Sequence, residues 1–354
     1  MKRAVVTGGG SAGHVIPALP VIEALQAKGW EVSFIGSDSG LEERLVTPLG
    51  TPFFSVRAGK LRRYFSLANL TDAMRIPIGI LQAFAILGRV RPHVVFSKGG
   101  FVAFPVVFAA WLRRIPVVAH ESDLTPGLAN RLSLPFVATL CVSFEGTRAS
   151  TRRVVHSGTP IRDALLNGDT DRGFEAAGLP GDRPMLVVVG GSLGAQRLNE
   201  VTRAALRGLT ETFEVLHVCG AGHLDPDLEN TPGYVQREFI SDGWGDILAA
   251  ASVVVSRSGA NALHELLTLG KPNLLVPLPT TASRGDQIEN AAYAAEHGYS
   301  TVLPEADLKP ETLVATTRDV LGTLEAWRTR LAQFRAPDAT ALIVAELETA
   351  ARSP

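Results

Sequence analysis

Two consecutive α/β domains, each built on a parallel sheet, are the fold class this sequence predicts, and three observations predict it. Apolar Val/Ile/Leu runs alternate with amphipathic stretches along the chain, the pattern of strands buried on both faces beside crossover helices. The opening "AVVTGGGSAG" (4–13) has an echo in "LVVVGGSLGA" (186–195). Each is a strand, a glycine loop and a helix start, and each opens a further run of strand–helix units. The length, 354 residues, exceeds what one hydrophobic core usually organises.

Taken in order, the first half offers strands at 3–8 ("RAVVTG"), 31–36 ("EVSFIG"), 93–98 ("HVVFSK") and 115–121 ("IPVVAHE"). The second half offers 184–191 ("PMLVVVGG"), 213–220 ("FEVLHVCG"), 251–259 ("ASVVVSRSG") and 272–279 ("PNLLVPLP"). Helical patterns fall between them, as in 18–29 and 260–271. Two Rossmann-like domains in tandem are the simplest reading. Their boundary is expected in 162–184, a polar, Gly/Pro-bearing stretch without a strand pattern, giving domains 1–162 and 163–336.

Composition narrows the chemistry. Hydrophobic residues make up 46% and charged residues 19%, enough apolar surface for large cores. Cys141 and Cys219 lie in apolar surroundings without a CxxC or Cys/His neighbour, which speaks against structural zinc and against an oxidised scaffold and suits a reducing cytoplasm. The N-terminus enters a strand directly, with no signal-peptide pattern. The net charge of −1 hides an asymmetry: residues 1–160 carry 18 Lys and Arg against 9 Asp and Glu, and the remainder 16 against 26. A basic first half is expected to meet an anionic partner: a phospholipid surface, a phosphorylated substrate or nucleic acid.

The first glycine loop matches Gly8-x-Gly10-x-x-Gly13 literally, and its glycines let backbone approach a ligand ahead of a helix whose free N–H groups welcome an anion. A dinucleotide site would also need an acid at the end of the second strand. That strand ends in Ile35-Gly36, and Asp38 comes late, so a nicotinamide oxidoreductase is disfavoured. His14, at the helix mouth, is either a general base whose neutral form the helix dipole favours or a helix-end histidine bonded to backbone. The second loop adds a hydroxyl, Ser192, beside Gly194. A third junction, 253–272, places Ser258-Gly259 in the turn and Glu265 about two turns into a helix, where a carboxylate can take vicinal ribose hydroxyls. Ser283, Arg284, Asp286 and Gln287 fall in a loop expected at a sheet's carboxyl edge. His120, Glu121 and Asp123 end another strand, with a buried structural role as open as a catalytic one. Asp169-Thr170-Asp171 and Asp225-Pro226-Asp227 match a metal-diphosphate pattern but lie in polar turns away from the glycine loops. They read as solvated loops, and no metal is expected.

Residues 59–92 are unusual. From Ile76 to Gly88 every residue but Gln82 is apolar or glycine, flanked by Lys60, Arg62, Arg63, Arg75, Arg89 and Arg91. About 20 apolar residues are needed to span a bilayer, so this core is too short. Trp111 beside Arg113-Arg114 repeats the theme. An apolar patch ringed by cations suits an anionic membrane surface. The residues expected to make it are Ile76, Ile80, Phe84, Leu87 and Trp111, with Arg75 and Arg89. A buried core helix with solvated ends is the other reading, and the basic excess favours the membrane.

The set "GGGSAGHVIPAL", "GKLRRY", "FSKGGFVAFPVV", "HESDLTPGLANR", "GGSLGAQRLN", "SRSGANALHELLTLGKPNLLVPL" and "SRGDQIENA" resembles the MurG family of bacterial UDP-N-acetylglucosamine transferases, in order over roughly residues 4–300. Two of these strings, "HESDLTPGLAN" and "SRGDQIENA", resemble the form found in some Gram-positive bacteria. The resemblance implies a GT-B fold, two Rossmann-like domains with parallel sheets facing a cleft. It also implies inverting transfer of GlcNAc from UDP-GlcNAc to the C4 hydroxyl of MurNAc in undecaprenyl-diphosphate-MurNAc-pentapeptide (lipid I), giving lipid II for peptidoglycan. The same fold also serves transferases acting on diacylglycerol, the nearest alternative. By the resemblance the first domain takes the acceptor and an anionic membrane, as a peripheral protein on the cytoplasmic face. The second domain takes the nucleotide sugar, and residues 337–354 form a last helix returning to the first. Other proteins of wall synthesis are implied as partners, and nucleic acid is not.

Carried over by position, His14 is the candidate base, with Glu121 or Asp123 as alternatives. Gly9, Gly10, Ser11, Gly13 and His14 cradle the acceptor diphosphate. Ser11, Ala12 and Gly13 also face the donor, as do Asp123, Arg162 and Ser192. Ile240 meets uracil through its backbone. Ala260, Asn261, Ala262, Leu263, His264 and Glu265 wrap the nucleotide, with Glu265 on ribose, and Gln287 reaches the sugar. UDP-GlcNAc is a substrate, so no cofactor is implied, and the charge growing on UDP can be met by the second glycine loop and helix dipole without a divalent metal. Two departures stand out. Ser11-Ala12 replaces the common Thr-Gly, and Asp123 replaces a frequent Asn, which alters a sugar contact.

Overall fold

The computed structural model describes residues 1–38, 40–59, 67–149, 151–191 and 195–352, with the side chains of 67–74 left aside. The chain divides into two compact units, Met1–Arg162 with Pro337–Pro354, and Asp163–Ala336.

In the first unit the strands are β1 (Arg3–Thr7), β2 (Glu31–Ser37), β3 (Phe53–Val56), β4 (Val94–Ser97), β5 (Val117–Glu121), β6 (Thr139–Val142) and β7 (Val154–His156). They form one sheet in the order β3-β2-β1-β4-β5-β6-β7. Pairing is parallel throughout, with Val5 opposite Ser33 on β2 and Val95 on β4. The continuous valine runs are buried on both faces, as their composition predicts. Alternate residues serve the two faces. Ala4, Val6, Phe34 and Phe96 pack on one side with Val21, Ile22 and Leu25 of the helix Leu19–Ala27 and with Ile343, Val344 and Leu347 of the helix Ala339–Ala350. Val5, Ile35, Val95 and Val117 pack on the other with Ala83, Leu87, Val106 and Ala110. The last helix is tied down further by Arg153–Glu346 (2.7 Å) and Lys28–Glu348 (3.1 Å).

The second unit holds β8 (Met185–Val189), β9 (Glu214–Val218), β10 (Tyr234–Arg237), β11 (Ala251–Ser256), β12 (Asn273–Leu275) and β13 (Thr301–Val302). Their order, β10-β9-β8-β11-β12-β13, repeats that of the first six strands of unit 1. It is the doubly wound order whose crossing point lies between the first and fourth strands. The stretch 162–184 is more regular than its polarity suggests, since it contains the helices Asp163–Leu166 and Thr170–Ala177. Asp169 caps the second by accepting the Arg172 N–H at 2.9 Å, and Gly178 ends it with a left-handed φ of 74°. Asp225 caps the turn Pro226–Leu228 in the same way. Both Asp-x-Asp strings therefore begin helical turns.

Candidate functional site

In unit 1 the carboxyl ends of β1, β4 and β5 bring three loops together. The first loop departs from the simple strand–loop–helix expectation. Two 3-10 turns, Ala12–His14 and Ile16–Ala18, precede the α-helix, which starts only at Leu19. Pro17 and Pro20 lack the N–H that an α-helix begun at His14 would use, so the tighter turns take over. His14 is therefore outside the α-helix, and a dipole effect confined to the first turn does not reach it.

The glycines of this loop are largely engaged with the protein itself. Gly9 N–H donates to the Gly99 carbonyl at 3.3 Å, and Gly10 N–H donates to Glu42 Oε1 at 2.8 Å. Ser37 Oγ donates to the same oxygen at 2.8 Å, and Glu42 is fully buried. A Cβ on Gly9 would strike Glu42, and one on Gly10 (φ 90°) would strike the Phe101 ring. The Gly9 and Gly10 amides thus hold the loop's own shape. Ser11 is exposed, and Ala12, Gly13 and His14 are half-buried. A Cβ on Gly100 would lie 3.0 Å from the His14 ring; only glycine lets the β4 loop come so close.

Glu121, an alternative base, is buried and both of its oxygens hold protein donors. Oε1 accepts from Asp123 N (3.0 Å), and Oε2 from Gly127 N (3.1 Å) and Asn130 Nδ2 (2.8 Å). It organises the loop Glu121–Gly127. His120, with Nε2 2.9 Å from the Gly158 carbonyl, is also interior. Asp123 is half-buried. Lys98, which the motif reading quoted but gave no role, directly follows β4 and is 1% exposed. Its Nζ donates to Ser122 Oγ at 2.6 Å. Burial pulls its ammonium down to about 8, against the upward pull of the Glu121 and Asp123 carboxylates. A charged residue ending an apolar strand was the signal for it. Arg162, the last residue of this unit's first segment, has a buried Nε without a hydrogen-bond partner among the described residues.

In unit 2, Ser192 and Gly194 lie outside the described residues. Gly191 before them has φ 92°, and the helix Gln196–Ala204 follows. After β11, Gly259 leads into the helix Ala260–Thr268 without any side-chain cap, so that N-terminus keeps its anion-binding character. Asn261, Ala262 and Glu265 are half-buried, whereas Ala260, Leu263 and His264 are buried. Leu263 is core, and His264 Nδ1 lies 2.9 Å from the Ala260 carbonyl. Of residues 260–265, only Asn261, Ala262 and Glu265 thus keep side chains partly accessible. Ser258 Oγ donates to the Gln287 carbonyl (2.7 Å), and Gln287 Oε1 accepts Leu278 N–H (3.0 Å). The turn after β12 is thereby fixed. Ile240 is half-buried beside Phe239, which is 66% exposed and which sequence reasoning passed over. Among the described residues no group of three His, Cys, Asp or Glu is arranged to hold a metal ion.

The apolar stretch is the helix Leu67–Val90, with Pro77 inside it. No described helix is long and apolar enough to cross a membrane. Of the residues expected to face outward on Leu67–Val90, Arg75, Phe84 and Arg89 are exposed. Leu87 is core, and Ile80 packs against the same core cluster; Ile76 is half-buried. The exposed apolar residues are Ile78 (39%), Leu81 (70%) and Phe84 (37%). Arg113 joins this helix to the next, Ala103–Leu112. Its Nε donates to the Phe84 carbonyl at 2.6 Å and its guanidinium sits 3.8 Å over the Phe84 ring. Trp111 (49% exposed) and Leu112 (48%) end that second helix, and Arg75, Arg89 and Arg114 are exposed nearby in sequence.

Two parallel sheets in one strand order, each with a glycine loop after its first strand, are the halves of a GT-B glycosyltransferase. Residues 4–142 match the glycosyltransferase family 28 N-terminal domain and residues 185–342 its C-terminal domain. A Legionella pneumophila protein named UDP-N-acetylglucosamine--N-acetylmuramyl-(pentapeptide) pyrophosphoryl-undecaprenol N-acetylglucosamine transferase is 48% identical, over 96% of this chain and 95% of its own. A Bacillus cereus protein of the same name, numbered 2, is 41% identical over 99% and 100%. The crystal structure of Acinetobacter baumannii MurG superposes with a TM-score of 0.77 at 25% identity, covering 99% of this chain and all of the other. The chain belongs to the MurG family of glycosyltransferase family 28.

Proposed function

We propose that this protein transfers GlcNAc from UDP-GlcNAc to the C4 hydroxyl of MurNAc in undecaprenyl-diphosphate-MurNAc-pentapeptide, with inversion at C1. The observation that carries this reading is the 48% identity to a transferase so named, kept over 95% of that protein.

Unit 2 takes the nucleotide sugar. The uncapped N-terminus before Ala260 and the loop after β8 receive the diphosphate, aided by Ser192 and by Arg162, whose Nε has no hydrogen-bond partner among the described residues. Glu265 accepts from the ribose hydroxyls, Ile240 meets uracil through its backbone, and Gln287 donates to the sugar. Unit 1 takes the acceptor. Ser11, Ala12 and Gly13 lie against substrate, and His14 accepts the C4 hydroxyl proton as that oxygen attacks C1. The C1–O bond to the β-phosphate breaks, its electron pair leaves with UDP, and the new negative charge is met by amides and helix dipole, so that no divalent metal is required. Ile78, Leu81, Phe84, Trp111 and Leu112, ringed by arginines, rest on the anionic cytoplasmic face of the cell membrane, where other proteins of wall synthesis can be met.

Incubation with UDP-GlcNAc and either a lipid I analogue or diacylglycerol tests the reading. Product on lipid I alone is expected; product on diacylglycerol alone overturns it.

A further inference from the structure

Arg257 directly follows β11, at the start of the turn that leads into the helix Ala260–Thr268. Its side chain is 6% exposed, and a guanidinium held so deep must be compensated by protein groups. Nη1 donates to the carbonyl of Val276, the residue after β12, at 2.9 Å. Nη2 stands 2.5 Å from Oε2 of Glu305, in the short 3-10 turn Glu305–Asp307 that follows β13. Oε2 has no aligned hydrogen-bond donor among the described residues, so charge attraction, not a directed bond, joins the two. Arg257 thereby ties together the carboxyl ends of three neighbouring strands, β11, β12 and β13.

The rest of the turn is held from the side as well. Val276 N–H donates to the Ser256 carbonyl at 2.8 Å, and Ser256 Oγ donates to the Arg257 carbonyl at 2.9 Å. Asn290 Nδ2 donates to the Ser258 carbonyl at 3.2 Å, beside the Ser258–Gln287 bond described above. In this set Glu305 supplies the negative charge that balances the guanidinium. Without it the cation would be buried and unpaired, and moving toward water would drag the turn with it. Next along the chain come the free N–H groups of the helix Ala260–Thr268, which no side chain caps. The turn therefore sets their direction.

We propose that Glu305 is a positioning residue of the donor site: held against Arg257, it fixes the turn 257–259 and with it the aim of the helix N–H groups at the diphosphate of a nucleotide sugar. The latch stands on this geometry; its effect on the diphosphate rests on the donor reading proposed above.

Binding of UDP and of uridine to the full chain tests it, UDP by calorimetry and uridine by competition against UDP. Uridine lacks the diphosphate, so a misaimed helix terminus should not affect it. Glu305→Gln keeps the shape and removes the charge. It is expected to weaken UDP about tenfold, within the worth of an oriented helix terminus to an anion, and to leave uridine within about twofold of wild type. Unchanged UDP affinity overturns the proposal. So does an equal loss for both ligands, which is what general loosening of unit 2 would produce. Should Glu305→Gln fail to fold, Glu305→Asp keeps the charge and shortens its reach, and the same selective loss of UDP is expected at about threefold. A wild type that binds no UDP sinks the donor reading instead. The backbone amide resonances of Ser258 to Asn261 then decide the latch: they move in Glu305→Asp if Glu305 holds the turn, and unmoved resonances refute it.

Discussion

Glu42→Ala removes the carboxylate on which the first glycine loop is hung. The residue is fully buried, and its Oε1 takes the Gly10 N–H and the Ser37 hydroxyl, each at 2.8 Å. Each donor that loses this acceptor costs about 1–3 kcal/mol. The cavity left by the lost methylene and carboxylate adds to this, for a total of ~4 kcal/mol. In a unit of about 180 residues each kcal/mol is worth ~2–4 °C, so its unfolding transition should fall by ~8–16 °C. Glu42→Gln keeps the shape and one accepting oxygen, and should cost only about 1 kcal/mol. Ser11 to His14 follow directly on Gly10, and a displacement of about 1 Å at reacting groups costs ~10²-fold in rate. Calorimetry and acceptor-dependent turnover, with UDP binding as the control for unit 2, give the readings. An alanine variant melting within ~2 °C of wild type, with undiminished turnover, would refute the reasoning.

Further outcomes follow from the helix faces and from a buried histidine. Leu81→Ser should weaken binding to anionic vesicles about tenfold, the worth of one buried leucine, without changing the melting temperature. Leu87→Ser should instead lose about 3 kcal/mol of stability. Vesicle sedimentation and thermal melts separate the two, and wild-type binding by Leu81→Ser would remove the membrane face. In unit 2, His217 Nε2 meets Asn199 Oδ1 and Nδ1 meets the Tyr234 hydroxyl, both at 2.9 Å. Asn199 Nδ2 already donates to the Cys219 carbonyl, so Asn199 Oδ1 is the acceptor and Nε2 the donor. Burial, reinforced by Arg203, holds His217 down to about 3. Between pH 6.5 and 3 the unfolded chain takes a proton that the folded one refuses, so stability falls as pH falls. The loss at pH 5 is about 2 kcal/mol. Denaturant titrations at pH 7 and pH 5 should show that His217→Gln lacks this share of the loss, and equal losses in both proteins would contradict it.

Most interior strands were legible because apolar runs of this kind have few other uses, and β1, β2, β4, β5, β8, β9, β11 and β12 all lie in such runs, with interior β6 the exception. The strands β3, β7, β10 and β13 were not: they are short edge strands whose pairing, not their composition, makes them strands. The apolar helix was visible, but not its outward face. Leu81 and Leu87 are the same residue type on one helix, and only packing against β4 and its neighbours decides which is buried. Pro17 and Pro20 were in view, and their missing donors were the warning that His14 precedes the α-helix. Glu42 carried no signal at all, since it meets Gly10 only through the fold, 32 residues away.

The central claim is acceptor-dependent glycosyl transfer, and UDP release from UDP-GlcNAc with and without a lipid I analogue tests it most directly. The account predicts release that rises with the analogue, matched mole for mole by a β-linked disaccharide product. Release that ignores the acceptor, or none with it present, would contradict it.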